Sequence, residues 1–594
     1  MSAPTVTSTI PRGGEWLLEA PHAGSVFTPE LLTEEHRLIG RTAREFVDNE
    51  VAPALDRLEQ KDWALSRQLL RRCGELGLLG VDVPEAYGGV GLDKVSSLII
   101  SDRFARAASF HAAMGAQANL TVTPLHLFGT EIQKQKYLPR LLSGELVGAY
   151  ALSESGSGSD ALGAKTRAVQ QADGSFVLNG EKMWITNGGF ADVFIVFAKV
   201  DGEHFTAFIV ERAFGGLTSG KEEHKMGLHG SSTTPVILED VRVPAGNLLG
   251  EIGKGHKVAF NVLNFGRFKL GAGCSGGAQC AIGESVRYAA ERRQFGQPIA
   301  GFGAIRHKIG EMIARAYAVE SLVYRTAGLI DARIEATPHD PADGSAALAA
   351  LEEYAIEASI AKVAGSETLD FVLDENIQIH GGNGYVADYP AERHFRDARV
   401  NRIFEGTNEI NRLLIPGLLA RRAVKGVLPI IAAARALQDE LLGPAAAAGP
   451  DDTPLAAERR AVATFKKTAL MVLGLAMQTY GQALADQQEV MMHCADILID
   501  VFSAESATLR AQAAAAAGGP VASLHVDAAR LFVNDAAMRV EASARQALAA
   551  MVDGDTLRTM LAALRRLSKV APVNTVELRR KIADAAVAHG GYIF

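Results

Sequence analysis

Hydrophobic spacing changes period twice along this chain, and that change limits the fold more than any other feature of the sequence. From about Thr33 to Leu142 apolar residues recur at helical intervals, as in "HRLIGRTAREFVDNEVAPAL" and "SRQLLRRCGELGLLG", with a Gly/Pro-rich break at "VPEAYGGVGLD". From about Val147 to Gly250 they form short continuous or alternating runs, "SFVLNG", "VFIVFAKV", "FTAFIV" and "PVILEDVRV", which is strand spacing. Asp201-Gly202 stands between two of these runs as a hairpin signal. Helical spacing returns near Lys257 and lasts to about Val424, interrupted at "EATPHDPADGSA", and accommodates four long helices. Beyond "GPAAAAGPDDTP", residues 443–454, a linker or large loop in composition, Ala-rich helical sequence continues to the end. The reading is mainly α with a β domain. A lead segment (1–32) precedes an N-terminal helical domain (33–146), a middle β-barrel domain (147–256), a four-helix bundle (257–424) and an additional C-terminal helical domain (425–594).

The length of 594 residues agrees with several cores, and 48% hydrophobic with 22% charged residues is a globular balance. A net charge of -8 supplies no dominant basic field for nucleic acid. The four cysteines show no CxxC spacing, so a metal scaffold is not indicated and a reducing compartment is the simpler reading. The N-terminus lacks an apolar signal core, no run is long enough to span a bilayer, and "GGYIF" is not a peroxisomal address. A cytoplasmic protein is expected. Any membrane association would be peripheral, at the inner membrane surface, through the amphipathic "KGVLPIIAAARALQDELL", which equally suits packing on the bundle.

Single motifs in this chain are weak. "GAGCSG", residues 271–276, matches G-x-G-x-x-G, but no strand precedes it and its small residues sit in a helical pattern, where they suit close helix packing. "YALSESGSGSD", residues 150–160, offers backbone N–H groups and hydroxyls to an anion, or is simply a surface turn. In "KMWITNGG", Trp184 and Thr186 suit stacking and hydrogen bonding to a planar cofactor, although a core Trp is the blander reading. "ERRQFGQPI" closes a long helix with two cations, and "QIHGGNGYVADYP" is a Gly-rich break whose His380 has no second ligand at metal spacing. In "RIFEGTNEI", Glu405 taken alone is a solvated acid before a helix-capping Thr.

Together, "YALSESGSGSD", "KMWITNGG", "RRQFG", "IQIHGGNGY" and "RIFEGTNEI" resemble the acyl-CoA dehydrogenase family in order and spacing across about residues 35–420. The extra helical region after residue 440 resembles the very-long-chain members in length and character. The resemblance implies the family fold and an FAD site. Tyr150, Leu152, Ser153, Gly158 and Ser159 would form a flavin-facing loop, with Trp184 and Thr186 against the isoalloxazine ring. Arg292 and Phe295, with Gln378 and Gly382 from a neighbouring subunit's loop, would hold the pyrophosphate and adenosine part, joined by Thr407 and Glu409. Asn264, Arg267, Gly406 and Ser159 would lie on the substrate side. A site shared between chains implies an oligomer, and the longer members imply a homodimer.

The same resemblance makes Glu405 the base that removes the thioester α-proton. That proton is weakly acidic, so its removal needs a carboxylate beside the carbon and donors on the thioester oxygen. Some members carry the base on the helix of Arg267; the adjacent residue here is Gly266, with no carboxylate. In "HAAMGAQANL", Ala112 and Ala116 lie four apart on one helix face, where medium-chain members carry larger polar residues that close the acyl pocket. The implied activity is dehydrogenation of long- or very-long-chain acyl-CoA to trans-2-enoyl-CoA in fatty-acid β-oxidation, with electrons passed to electron-transfer flavoprotein. An acyl-CoA oxidase using oxygen and a non-catalytic assembly protein on the same fold are the alternatives.

Overall fold

A computed structural model describes residues 10–19, 21–340, 342–443 and 453–594. The N-terminal helices begin where side chains can satisfy their free N–H groups. Thr33 starts Glu34–Phe46 by accepting from the His36 N–H, while His36 Nδ1 accepts from the Thr33 N–H. Asp93 caps Lys94–Phe104 through the Ser96 N–H at 2.7 Å. The Gly/Pro-rich break between these helices is a turn, with Gly88 and Gly91 in left-handed backbone. Lys94–Phe104 is buried nearly all round, because Glu34–Phe46 and the long helix Gly255–Glu291 both pack on it.

The β domain is one eight-stranded sheet: β1 (Gly148–Ala151), β2 (Arg167–Gln170), β3 (Phe176–Thr186), β4 (Val193–Val200), β5 (His204–Glu211), β6 (Leu217–Ser219), β7 (Thr233–Val243) and β8 (Leu248–Leu249). The order is β6-β7-β3-β2-β4-β5-β8, and β1 lies parallel to β4. The β4–β5 hairpin turns at Asp201 and Gly202, with φ 53° and 77°. Strand β4 is a continuous apolar run because both of its faces are covered. Phe194, Val196 and Ala198 enter one core, and Val193, Ile195 and Phe197 the other.

The bundle consists of Gly255–Glu291, Gly303–Ala336, Ala355–His380 and Asn408–Val424, the four long helices expected, called the first to fourth bundle helices below. "GAGCSG" lies inside the first of them. A Cβ on Gly276 would stand 2.1 Å from the Asp102 carbonyl oxygen, and one on Gly271 3.0 Å from Ala361, so these glycines permit close helix approach.

The C-terminal helices, among them Ala456–Tyr480, Gln488–Ala517 and Ala522–Met551, share one continuous core with the bundle. Arg510 spans the join: fully buried, it donates to Glu320 of the second bundle helix at 2.6 Å and to Glu30 at 2.7 Å. Within the lead segment, the described residues around Trp16 form a strap on this core. Trp16 is buried against Phe502 and donates to Glu357 at 2.9 Å, and the Gly14 N–H donates to the same carboxylate oxygen at 2.7 Å. The amphipathic stretch forms Ile430–Leu442 and buries Ile430 and Leu437 in this core, so its apolar face packs on protein. The linker expected at 443–454 lies, apart from its ends, outside the described residues. Among the described residues no helix is long and apolar enough to cross a membrane.

Candidate active site

Glu405 and Gly406 form the turn that enters the fourth bundle helix, with φ 57° and 79°. Left-handed backbone suits glycine and strains a glutamate, so something must hold Glu405 there. Two buried cations do. Arg267 Nε donates to the Glu405 carbonyl at 3.0 Å, and Lys362 Nζ donates to the Gly406 carbonyl at 2.8 Å and to Asn408 Oδ1 at 2.6 Å. Asn411 Nδ2 is a second donor to the Gly406 carbonyl, at 2.8 Å. Helix capping falls to Thr407, whose hydroxyl accepts from the Ile410 N–H at 3.3 Å. The Glu405 side chain therefore has no local structural task.

Its carboxylate faces a cavity of about 170 Å³ lined by Ala112, Ala116, Thr186, Gly266, Gly273 and Leu373. Oε2 is buried and accepts no hydrogen bond. Burial pushes the Glu405 carboxyl up to about 7, although Arg267 and Lys362 pull it down. A Cβ on Gly266 would lie 2.6 Å from Oε2, so the residue that lacks a carboxylate also makes room for this one. The Glu405 N–H donates no hydrogen bond among the described residues. The Tyr150 hydroxyl is likewise buried without a partner; burial first, and then the charge of Glu405, push its pKa up.

The loop after β1 is fixed from below by an ion pair that sequence reading missed. Glu154 accepts from buried Lys182 at 2.6 Å, from Thr166 Oγ1 at 2.6 Å and from the Lys165 N–H at 2.6 Å. Lys182 also reaches the Leu152 carbonyl, and the Ser153 carbonyl accepts from Met183 at 2.9 Å, which ties the loop to β3. Leu152 points into the core, while Gly158 and Ser159 are exposed. A shift in the β3–β7 register between Lys182 and Ile185 puts Trp184 at φ 60° and leaves it 56% exposed. Trp184 is therefore not a core residue, and Thr186, two residues on, lines the Glu405 cavity.

Arg292, Phe295, Gln378 and Gly382 are exposed and line no part of that cavity. Phe295 sits on the tip of a small hairpin, β9 (Arg293–Gln294) with β10 (Gln297–Pro298), and is 94% exposed. Tyr288 stacks on His380 at 4.2 Å, which brings the ends of the first and third bundle helices together, so these four residues share one end of the bundle. His380 Nδ1 bonds to the Asn376 carbonyl at 2.8 Å, a structural role. Asn264 Oδ1 accepts from Arg267 at 2.9 Å. Glu409 is exposed in the first turn after Thr407. Ser159, Asn264, Arg267 and Gly406 do not line the cavity. Lys362, also missed, carried one faint signal: a lone lysine in the apolar helical run "ASIAKVAG".

Family models described as the acyl-CoA dehydrogenase N-terminal, middle and C-terminal domains match residues 33–145, 149–241 and 253–417, and a further acyl-CoA dehydrogenase C-terminal domain matches 464–566. A probable acyl-CoA dehydrogenase of Bacillus subtilis is 49% identical over 577 residues, 97% of each chain. The crystal structure of an acyl-CoA dehydrogenase complexed with FAD from Bacillus anthracis superposes with a TM-score of 0.96 at 49% identity, over 98% of this chain and 100% of that one. Two human mitochondrial enzymes match in part. The very long-chain specific acyl-CoA dehydrogenase is 40% identical over 65% of this chain and 57% of its own. The short-chain specific enzyme is 38% identical over 66% and 91%. Similarity by itself does not select a chain length.

Proposed function

The chain belongs to the acyl-CoA dehydrogenase family, and on that premise we propose that it oxidises long-chain acyl-CoA to trans-2-enoyl-CoA in fatty-acid β-oxidation, with FAD as cofactor and electron-transfer flavoprotein as acceptor. The observation that carries this reading is the unpartnered Glu405 carboxylate at a cavity whose lining includes Ala112 and Ala116.

The residues present fit FAD. An indole exposed on a bulge beside the Glu405 cavity suits stacking on a flat ring system, and Thr186, which lines that cavity, would offer its hydroxyl for a hydrogen bond. The exposed Gly158 and Ser159 leave backbone open to close approach, since nothing stands within 4 Å of a Cβ at Gly158. Arg292 and Phe295 would hold the adenosine and pyrophosphate half with Gln378 and Gly382 of a neighbouring chain. When bound, FAD would supply a hydride acceptor.

The chain's own residues do the proton chemistry. Glu405 removes the α-proton, and its unused N–H is available to the thioester oxygen as charge develops there. Arg267 and Lys362 hold the two carbonyls of the strained turn, so the carboxylate and that N–H stay aimed while the acyl chain excludes water.

Anaerobic titration of the purified yellow protein with hexadecanoyl-CoA tests the proposal: the flavin absorbance should bleach. Only the ionised carboxylate accepts a proton, so the bleaching rate should rise with pH and level off above an inflection near 7. Absence of bleaching, or a rate flat through that range, overturns the assignment; rapid reoxidation of the reduced protein by air would favour the oxidase.

Oligomeric state follows from the same reading. Phe295 and Tyr385, 94% and 86% exposed, lie at the end of the bundle where the FAD residues of two chains would meet. Sedimentation should give a homodimer; a monomer that retains FAD overturns the shared site.

A further inference from the structure

The cavity that receives Glu405 does not end blind. On the first bundle helix its wall runs through Gly266, Leu270, Gly273, Gly277 and Cys280. At 1.5 Å of rise per residue, Gly266 to Cys280 spans about 21 Å. A zigzag of ~1.5 Å bonds at ~111° advances roughly 1.3 Å per carbon, so this is the reach of an acyl chain of about sixteen carbons. At the far end, Arg106 and Cys280 line both this cavity and a second, larger one of about 910 Å³. The Arg106 side chain is 53% exposed, so the shared threshold opens to solvent.

The second cavity is polar, and not all of its cations are paired. Each of its acidic side chains has a partner, although Glu30 and Glu320 share one: both bind Arg510, Asp48 pairs with Arg106, Asp102 with Arg103, and Glu284 with His394. Two of its cations pair with no acid among the described residues. The Arg44 side chain makes no hydrogen bond or ion pair among the described residues, and the Arg287 side chain makes only a 3.5 Å contact to the Gly590 carbonyl. The acyl path therefore leads from the base to an opening where two guanidinium groups, Arg44 and Arg287, have no ion-pair partner among the described residues.

We infer that the enzyme accepts long-chain acyl-CoA carrying a carboxylate at its far end, received by Arg44 and Arg287 where the acyl cavity opens at Arg106 and Cys280. The inference rests on the long-chain reading above and names a substrate class within it. A tunnel closed by apolar side chains would reject such a substrate by several powers of ten, because the charge would be buried without a partner. An opening onto water and two guanidinium groups removes that penalty.

The test compares hexadecanoyl-CoA with the mono-CoA thioester of hexadecanedioic acid on the holoenzyme. The diacid should be used with kcat/KM within about tenfold of the monoacid. Exposed ion pairs change an equilibrium by about two- to fivefold each, so Arg44→Ala with Arg287→Ala should lower kcat/KM for the diacid about five- to tenfold and for the monoacid less than about twofold. Turnover of the monoacid with the diacid worse by about a hundredfold or more overturns this inference alone, as do equal losses on both substrates in the double variant. No turnover of hexadecanoyl-CoA overturns the long-chain reading, and this inference with it.

Discussion

Replacing Glu405 by Gln is expected to leave a yellow, folded protein that binds acyl-CoA and scarcely turns it over. The amide keeps the size of the side chain and removes only its basicity. Nothing in the structure depends on the charge, since Oε2 accepts no hydrogen bond and the cations nearby grip backbone: Arg267 at Glu405, Lys362 at Gly406. Loss of a general base typically costs about 10²- to 10⁴-fold. Flavin reduction in a stopped-flow mix with hexadecanoyl-CoA should slow by that much, while equilibrium binding changes little. Activity within a few-fold of the parent would remove Glu405 from the mechanism, and loss of flavin would mean that the turn is structural.

Filling the acyl cavity should give the second large effect, and a selective one. Ala112 and Ala116 project from Ala108–Gln117 into the cavity that holds Glu405, opposite the glycine-rich face of the first bundle helix. Ala112→Gln with Ala116→Glu would close it partway along. Each methylene denied burial forfeits about 0.8 kcal/mol, so excluding three or four of them costs on the order of 10²-fold. Hexadecanoyl-CoA should lose about that much in kcat/KM, and octanoyl-CoA only a few-fold at most. Flavin content, unchanged, would show that the fold survives. Equal losses on the two substrates would mean that the acyl chain takes another path.

The order of helical, β and helical regions was legible because period is a local property. A strand or helix that buries one face must repeat its apolar residues at 2.0 or 3.6, and "VFIVFAKV" or "SRQLLRRCGELGLLG" carries that repeat within a single element. The hairpin at Asp201-Gly202 was legible for the same reason: the positive φ it requires is written in the two residues that adopt it. Glu405 was legible only through motifs in register, since by itself it reads as an acid beside a capping threonine.

Tertiary structure decided the rest. The strained Glu405 turn is held by Arg267, 138 residues away in sequence, and by Lys362 on the third bundle helix. The described part of the lead became a strap because Trp16 finds Glu357 and Phe502, neither of which has any mark in the sequence around it. Trp184 is turned outward by a slip in register against β7, which depends on the partner strand as much as on β3. The continuous core of bundle and C-terminal helices turns on Arg510, whose partners Glu320 and Glu30 lie 190 and 480 positions away. A residue's own neighbours in sequence set its backbone preference and the face it presents. Which charge it meets, and whether water can reach it, is set by packing between distant segments, and the pKa of Glu405 and the opening at Arg106 both arise at that level.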